Sequence, residues 1–244
     1  IDLASRKAAD VGVCLIETKP DDSAEASFLP PAEIGLDDSQ DPRRWADAIH
    51  VYCEHNKIPL VMIDGTQGWK DPDIGVEHSR VCERILNAPA KTGLEGRVKP
   101  RNWKPFVEFS IGVFRCLLGL GARLVEKPIV KLPSKRLLAA EILPVSAWRR
   151  LKIAPLPAKN KKTQSDIEER LYKLEELYHL SMSRKPNHPN HDELQALVGG
   201  LAGLAILHQD GSGYIAEGVP PKLKGGVIVE GFIINPRIRQ QSEG

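Results

Sequence analysis

A chain of 244 residues that is 41% hydrophobic and 27% charged has the composition of a globular protein long enough to bury a substantial core, which excludes wholesale disorder. Aromatic residues make up only 5%, too few for a surface built on many stacked rings. The longest apolar or small-residue run, Ala196 to Leu207, falls short of the about 20 residues that cross a bilayer, so no membrane partner is expected.

The net charge of +2 conceals a basic segment. Arg123 to Lys162 carries eleven basic residues against two acidic ones, an excess that would attract a polyanion such as nucleic acid. Cys14, Cys53, Cys82 and Cys116 are dispersed with no C-x-x-C pair. That spacing gives no support to a zinc site and reads as reduced thiols in a cytoplasmic protein. The chain opens at Ile1 without a methionine, which leaves a trimmed start and a removed targeting segment open.

In chain order, Ile1 to Ala4 reads as the tail of a strand that is cut short at its first residue. Val11 to Thr18 is apolar on both alternating faces, as a central strand is, and Ser5 to Asp10 is short enough for a hairpin connection. Ala24 to Leu29 is a third strand stopped by Pro30-Pro31, and Glu33 to Asp41 is an acidic loop. Asp41-Pro42 opens a helix to about Asn56, with Trp45, Ile49, Tyr52 and Cys53 on one stripe. Ile58 to Ile63 is a continuous apolar strand closed by Asp64-Gly65.

A helix is expected over Val76 to Leu86 and a long buried one over Lys104 to Glu126. Leu137 to Leu143 reads as a strand, Ser146 to Lys152 as a short helix, Lys159 to Thr163 as a basic loop, and Ser165 to Leu180 as an amphipathic helix. Asp192 to His208 is a strong apolar helix, and Tyr214 to Glu217 and Val227 to Ile234 are short strands or a hairpin. The order predicts one α/β domain over 1–244: an antiparallel three-stranded meander plus parallel strands, ribonuclease H-like, flanked by helices, with a helical insertion around 67–126. No glycine-rich phosphate motif occurs. An ATPase, a dinucleotide enzyme and an actin–hexokinase type phosphotransferase are therefore disfavoured, and no Ser-His-Asp or Cys-His context supports acyl transfer.

Four carboxylates stand where apolar residues would serve the fold better. Asp2 lies inside the first strand, Asp64 ends the most apolar strand, Glu141 interrupts LLAAEILP, and Asp192 opens the most apolar helix. Isolated buried carboxylates are penalised by several kcal/mol, so four on separate core elements point to a shared countercharge, Mg²⁺ or Mn²⁺. Such a cluster can hold two ions for phosphodiester hydrolysis, with Asp2, Asp64, Glu141 and Asp192 as both metal ligands and catalytic residues. At about 100° per residue, Ala196, Gly199, Gly200 and Gly203 share the Asp192 side of its helix, a surface that could lie close to a sheet. Each carboxylate also has a structural reading: a strand-end turn for Asp64, an ion pair for Glu141, a helix start for Asp192.

The strings IDLA, VMIDG, AEILPVSAWRRL, HDELQALVGGLAGLA and EGFIINP, in this order, resemble the domain-of-unknown-function 429 family of predicted nucleases with a ribonuclease H-like fold. The resemblance spans nearly the whole chain, and its most specific parts are Glu141 with Pro144 and Trp148, and Asp192 with Ala196. It implies metal-dependent phosphodiesterase activity on DNA or RNA. An acidic residue on the first long helix, common in ribonucleases H, could be Asp47 or Glu54, though a solvated helix face explains both.

Lys127, Lys131 and Lys135, at four-residue spacing before the Glu141 strand, are candidate phosphate contacts, with Arg149 and His191 as further substrate-binding candidates. His188 is a weaker one, and Trp69 could stack a base or be a core residue. A non-catalytic nucleic-acid-binding module, with the acids merely structural, is the alternative reading.

Overall fold

The computed structural model describes residues 1–4, 7–19, 23–133, 135–183 and 189–238. Strands β1 (Cys14–Thr18) and β2 (Ala24–Phe28) form an antiparallel pair with Cys14 opposite Phe28. Helix α1 (Pro42–His55) begins where the Asp41 side chain accepts from the Arg43 N–H and Pro42 takes the first helical position, an arrangement that satisfies one terminal donor and removes another. Its stripe of Trp45, Ala46, Ile49 and Cys53 is buried. Strand β3 (Leu60–Asp64) follows, then α2 (Val81–Ile85), the two-residue strands β4 (Lys91–Thr92) and β5 (Val98–Lys99), and α3 (Lys104–Gly119).

After β6 (Arg123–Leu124) come β7 (Leu138–Ile142), α4 (Pro144–Arg150), α5 (Gln164–Tyr178) and β8 (Leu180–Met182). Helices α6 (His191–Gly200) and α7 (Ala202–Leu207) precede a closing hairpin of β9 (Tyr214–Lys224) and β10 (Val227–Pro236).

The result is an α/β architecture with a mixed sheet flanked by helices. One run of strands is ordered β1-β2-β8 and the other β3-β7-β10-β9, with β3, β7 and β10 mutually parallel and β9 antiparallel to β10. Residues 1–3 join the two runs. Asp2 exchanges backbone hydrogen bonds with Gly12, and Asp64 N–H donates to the Ile1 carbonyl at 2.8 Å. Side chains alternate between the faces of a strand. Leu3, Val61 and Ile63 therefore pack with α1 and α3, while Met62 and Ile142 pack on the other face with α7.

Helix α6 crosses that second face closely. A Cβ on Gly199 would stand 2.1 Å from Ile142 Cδ1, and one on Gly12 would stand 2.0 Å from the Asp192 carbonyl oxygen. The glycine-rich side expected from the sequence thus lies against the sheet, and Leu194, Leu197, Val198 and Leu201 on the other side pack with Trp148, Ile167 and Leu174.

Several boundaries differ from the sequence reading, each for a local reason. Helix α2 starts only at Val81, because the Asp71 and Val81 amides donate to the buried Glu230 carboxylate rather than to helical carbonyls. Helix α3 stops at Gly119, ahead of Gly121 at φ +97°, and residues 123–124 pair with β7 instead of extending it. The long apolar helix breaks at Leu201 into α6 and α7. The final strands are much longer than expected. Pro220 and Pro221 are accommodated because β9 is an edge strand and a register shift stands opposite them.

Candidate functional site

Asp2 and Asp64 are direct neighbours on adjacent parallel strands, so both carboxyls project toward the face that carries α6. Asp64 ends β3 at the carboxyl side of the parallel strands, the edge where α/β sheets place their ligand clefts. There it lines a cleft of about 190 Å³ together with Thr66, Arg80, Glu83, Glu141 and Gln195.

Both carboxyls keep some exposure, yet each is set deep enough for desolvation to dominate. Burial pushes Asp2 well above the usual carboxylate range, and the negative charges of Asp64 and Asp192 add to that. Burial likewise pushes Asp64 up to about 7, against the opposing effect of a hydrogen bond from Asp2. Two neighbouring acids that shift one another titrate as a pair rather than singly.

Asp192 reaches the same neighbourhood from the first turn of α6. Its helix is capped by the Asn190 side chain, which accepts from the Asp192 and Glu193 amides. Burial raises the Asp192 carboxyl, but hydrogen bonds from His191 Nδ1 at 3.1 Å and Lys159 Nζ at 2.5 Å outweigh it and hold the group below its ordinary range. Lys159, on the basic loop before α5, also bonds Asp10 at 2.8 Å. That loop, with the neighbouring Lys161 and Lys162, is thereby tethered beside Asp192.

Glu141 does not share this arrangement. It pairs in register with Ile63, one position before Asp64, so strand alternation turns it to the opposite face. There Arg80 grips both of its oxygens, Nη1 to Oε2 at 2.8 Å and Nη2 to Oε1 at 2.6 Å, and the Gln67 amide donates to Oε2 at 2.9 Å. Burial raises the Glu141 carboxyl, and Arg80 pulls it back. The four expected ligands thus divide into Asp2 and Asp64 with Asp192 beside them, and Glu141 bound to an arginine.

Among the described residues, no group of three or more His, Cys, Asp and Glu side chains is arranged to hold a metal ion. Mg²⁺ needs only one or two carboxylates, with waters and substrate oxygens completing its shell. Asp2 and Asp64 supply two neighbouring carboxyls without a basic side chain bonded to either among the contacts described. A two-ion site drawing on Glu141 and Asp192 does not fit, because each of those acids already has a protein cation.

The expected phosphate contacts are dispersed. Lys127, Lys131 and Lys135 are exposed on the β6–β7 connection, which is anchored through Val130 N–H to Tyr214 Oη, and none of them lines the Asp64 cleft. Arg149 is exposed at the end of α4 and also lies outside it. His191 bonds Asp192, while His188 lies outside the described residues. Trp69 is a core residue, packed with Val98, Val107, Ile111 and Val229. Asp47 and Glu54 sit on α1, across the sheet from Asp2 and Asp64. The basic segment is partly neutralised internally, since Arg150 pairs with Glu217 and Lys159 with Asp192.

Arg80 is the site residue that sequence reasoning missed. It is 1% exposed, contacts Glu83 as well as Glu141, and sits in a stretch with no distinctive pattern. All four cysteines are free thiols, and no helix among the described residues is long and apolar enough to cross a membrane. Comparison with family models, with curated proteins and with solved structures returns no match.

Proposed function

We propose that this protein is a divalent-cation-dependent phosphodiesterase acting on nucleic acid, built on a ribonuclease H-like sheet, with Asp2 and Asp64 as its cation-binding pair. The observation that carries this reading is the placement of two desolvated, like-charged carboxyls on adjacent parallel strands at their carboxyl ends. Such a pair is unfavourable when ionised and gains most from a dication. The strand order supports the fold assignment: β2, β1, residues 1–3, β3 and β7 stand side by side, each of the first three antiparallel to the next and the last three parallel.

Mg²⁺ or Mn²⁺ held by Asp2 and Asp64 would supply a Lewis acid for a phosphodiester oxygen. The chain's own groups set the surroundings. Asp192 adds negative charge beside the pair and anchors Lys159, which brings the Lys161–Lys162 loop within reach of a polyanionic substrate. Arg80 keeps Glu141 neutralised at the rear of the cleft, so that carboxylate does not repel an approaching phosphate.

The test is cleavage of labelled single- and double-stranded DNA and RNA with Mg²⁺, Mn²⁺ or EDTA. Activity with a divalent ion that is lost in Asp64→Asn, while the variant keeps its fold, supports the proposal. No cleavage of any substrate with either ion overturns it. One observation favours a second reading, a non-catalytic nucleic-acid-binding module: Glu141 and Asp192 are each matched by a basic side chain. That reading requires salt-sensitive binding unchanged by chelation and by Asp64→Asn.

A further inference from the structure

Trp103 is 37% exposed, whereas Trp45, Trp69 and Trp148 are each 5% exposed or less. It lines the Asp64 cleft together with Phe106. Phe106 meets it edge to face, with 83° between the rings and 5.9 Å between their centroids, which fixes the indole while covering no more than one of its faces. At about 190 Å³ the cleft is smaller than the roughly 300–1,000 Å³ pockets that enclose drug-sized ligands, so it has room for one ring system and none for a base pair. Two polar groups that line it keep donors unspent among the described contacts. Gln195 gives its Oε1 to Trp148 Nε1 at 2.8 Å and retains its NH₂ group, and Thr66, 8% exposed, retains its hydroxyl.

The chain leading to Trp103 is basic. Arg84 to Lys104 carries six basic residues and one acidic one, Glu95. Lys91 donates to the Glu83 carbonyl and Lys104 stands 3.6 Å from Glu108. Arg84, Arg97, Lys99 and Arg101 are exposed and make no ion pair among the described residues. Lys91 and Lys99 also stand directly opposite each other in the β4–β5 pair, an arrangement of like charges that costs stability unless an anion lies across it.

We infer that the 84–104 arm is a single-strand reader: Trp103 stacks one unpaired base at the Asp64 cleft, and Lys99 and Arg101 hold the phosphates beside it. Unpaired bases stack on exposed aromatic rings while basic side chains track the backbone. In a duplex the base faces are already covered by their neighbours, so a platform in a cleft of this size accepts a single strand or a base turned out of its stack. The inference rests on nucleic acid being the partner, and it moves the phosphate contacts from the 123–162 segment, where Arg150 and Lys159 are neutralised by acids, to the arm that walls the cleft.

The test titrates the whole chain in EDTA with oligo-dT, oligo-U and an oligo-dA·oligo-dT duplex of equal length, following tryptophan emission and fluorescence anisotropy. The single strands are expected to quench the emission and to bind at least about tenfold more tightly than the duplex. Trp103→Ala should weaken single-strand binding by about tenfold or more at unchanged Tm. Trp103→Phe, which keeps a ring, should retain most of the affinity while losing the quenching. Lys99→Gln with Arg101→Gln should lower the dependence of log affinity on log salt by about 1.4, the share of two phosphate contacts on a single strand. Equal affinity for single strand and duplex, or quenching that persists in Trp103→Phe, overturns the inference. So does a salt dependence that falls in Lys127→Gln with Lys131→Gln and not in the Lys99–Arg101 variant. Because binding is read without a divalent ion, selective binding with no cleavage would sink only the phosphodiesterase proposal, and cleavage without strand preference would sink only this one.

Discussion

Arg80 holds Glu141 through both terminal guanidinium nitrogens, at 2.8 and 2.6 Å, while its Nε bonds Glu83 Oε1 at 3.0 Å. All three side chains are almost fully enclosed. This arrangement ties the 67–100 excursion to β7. Glu83 further accepts from the Thr92 amide, and Glu230 accepts from the Asp71 and Val81 amides.

Removing one member of a buried ion pair leaves an uncompensated charge, at about 3–5 kcal/mol. Arg80→Met is therefore expected to destabilise the fold by that amount in denaturant titration. The double variant Arg80→Met with Glu141→Leu should recover much of the loss. A single variant as stable as the wild type would show that the cluster is not held by this pair.

The Asp2–Asp64 pair makes stability depend on pH in a defined direction. A carboxyl whose folded pKa lies above its unfolded value, near 4, binds its proton more tightly in the folded state. Its ionisation therefore destabilises the fold as pH rises from about 4 through about 7. Tm should fall over that window in EDTA. Mg²⁺ should restore it at pH 8 more than at pH 5, where protons compete for the same oxygens. Asp64→Asn should flatten the slope and abolish the Mg²⁺ response, and thermal scans across pH with and without the ion measure both.

Much of this site could be read from the chain. A charge that ends an apolar strand, as Asp64 does, or that opens an apolar helix with small residues at helical spacing, as Asp192 does, stands out against local pattern. Glu141 stood out equally, but its direction depends on register. It pairs with Ile63 rather than with Asp64, and one residue of offset reverses the face. Arg80, Glu83 and Glu230 are hidden for a different reason. Glu141 lies 61 residues from Arg80, and Glu230 lies 149 residues from Val81, so no local window shows that these charges are buried. Lys159 looked like part of a free basic face until the fold brought Asp10 and Asp192 to it.

Asp71 provides an acid-side contrast. Its buried carboxyl is held down to about 2, first by the Lys224 ammonium at 2.5 Å and then by the Asp73 amide and Lys222. A depressed carboxyl contributes stability that is fully present above its unfolded pKa near 4 and is lost as pH falls through about 2. Wild type should therefore exceed Lys224→Met in stability at pH 6, and the difference should shrink between pH 4 and pH 2. A difference that stays constant over that range would assign the effect of Lys224 to packing.

The approach of α6 to the sheet sets where Asp192 lies, and two glycines test it separately. At Gly199 an added methyl meets Ile142 Cδ1, the far end of a side chain that can turn away. Gly199→Ala is thus expected to cost about 1–3 kcal/mol, with partial relief in the double variant carrying Ile142→Val. At Gly12 the same methyl meets the Asp192 carbonyl, a backbone atom that moves only if the helix start moves. Gly12→Ala should cost more. It should also shift Asp192 away from Asp2 and so weaken the like-charge contribution that raises Asp2. The pH dependence of Tm distinguishes the two variants: shallower than wild type in Gly12→Ala, unchanged in Gly199→Ala. Equal slopes in both would detach the position of Asp192 from the titration of the pair.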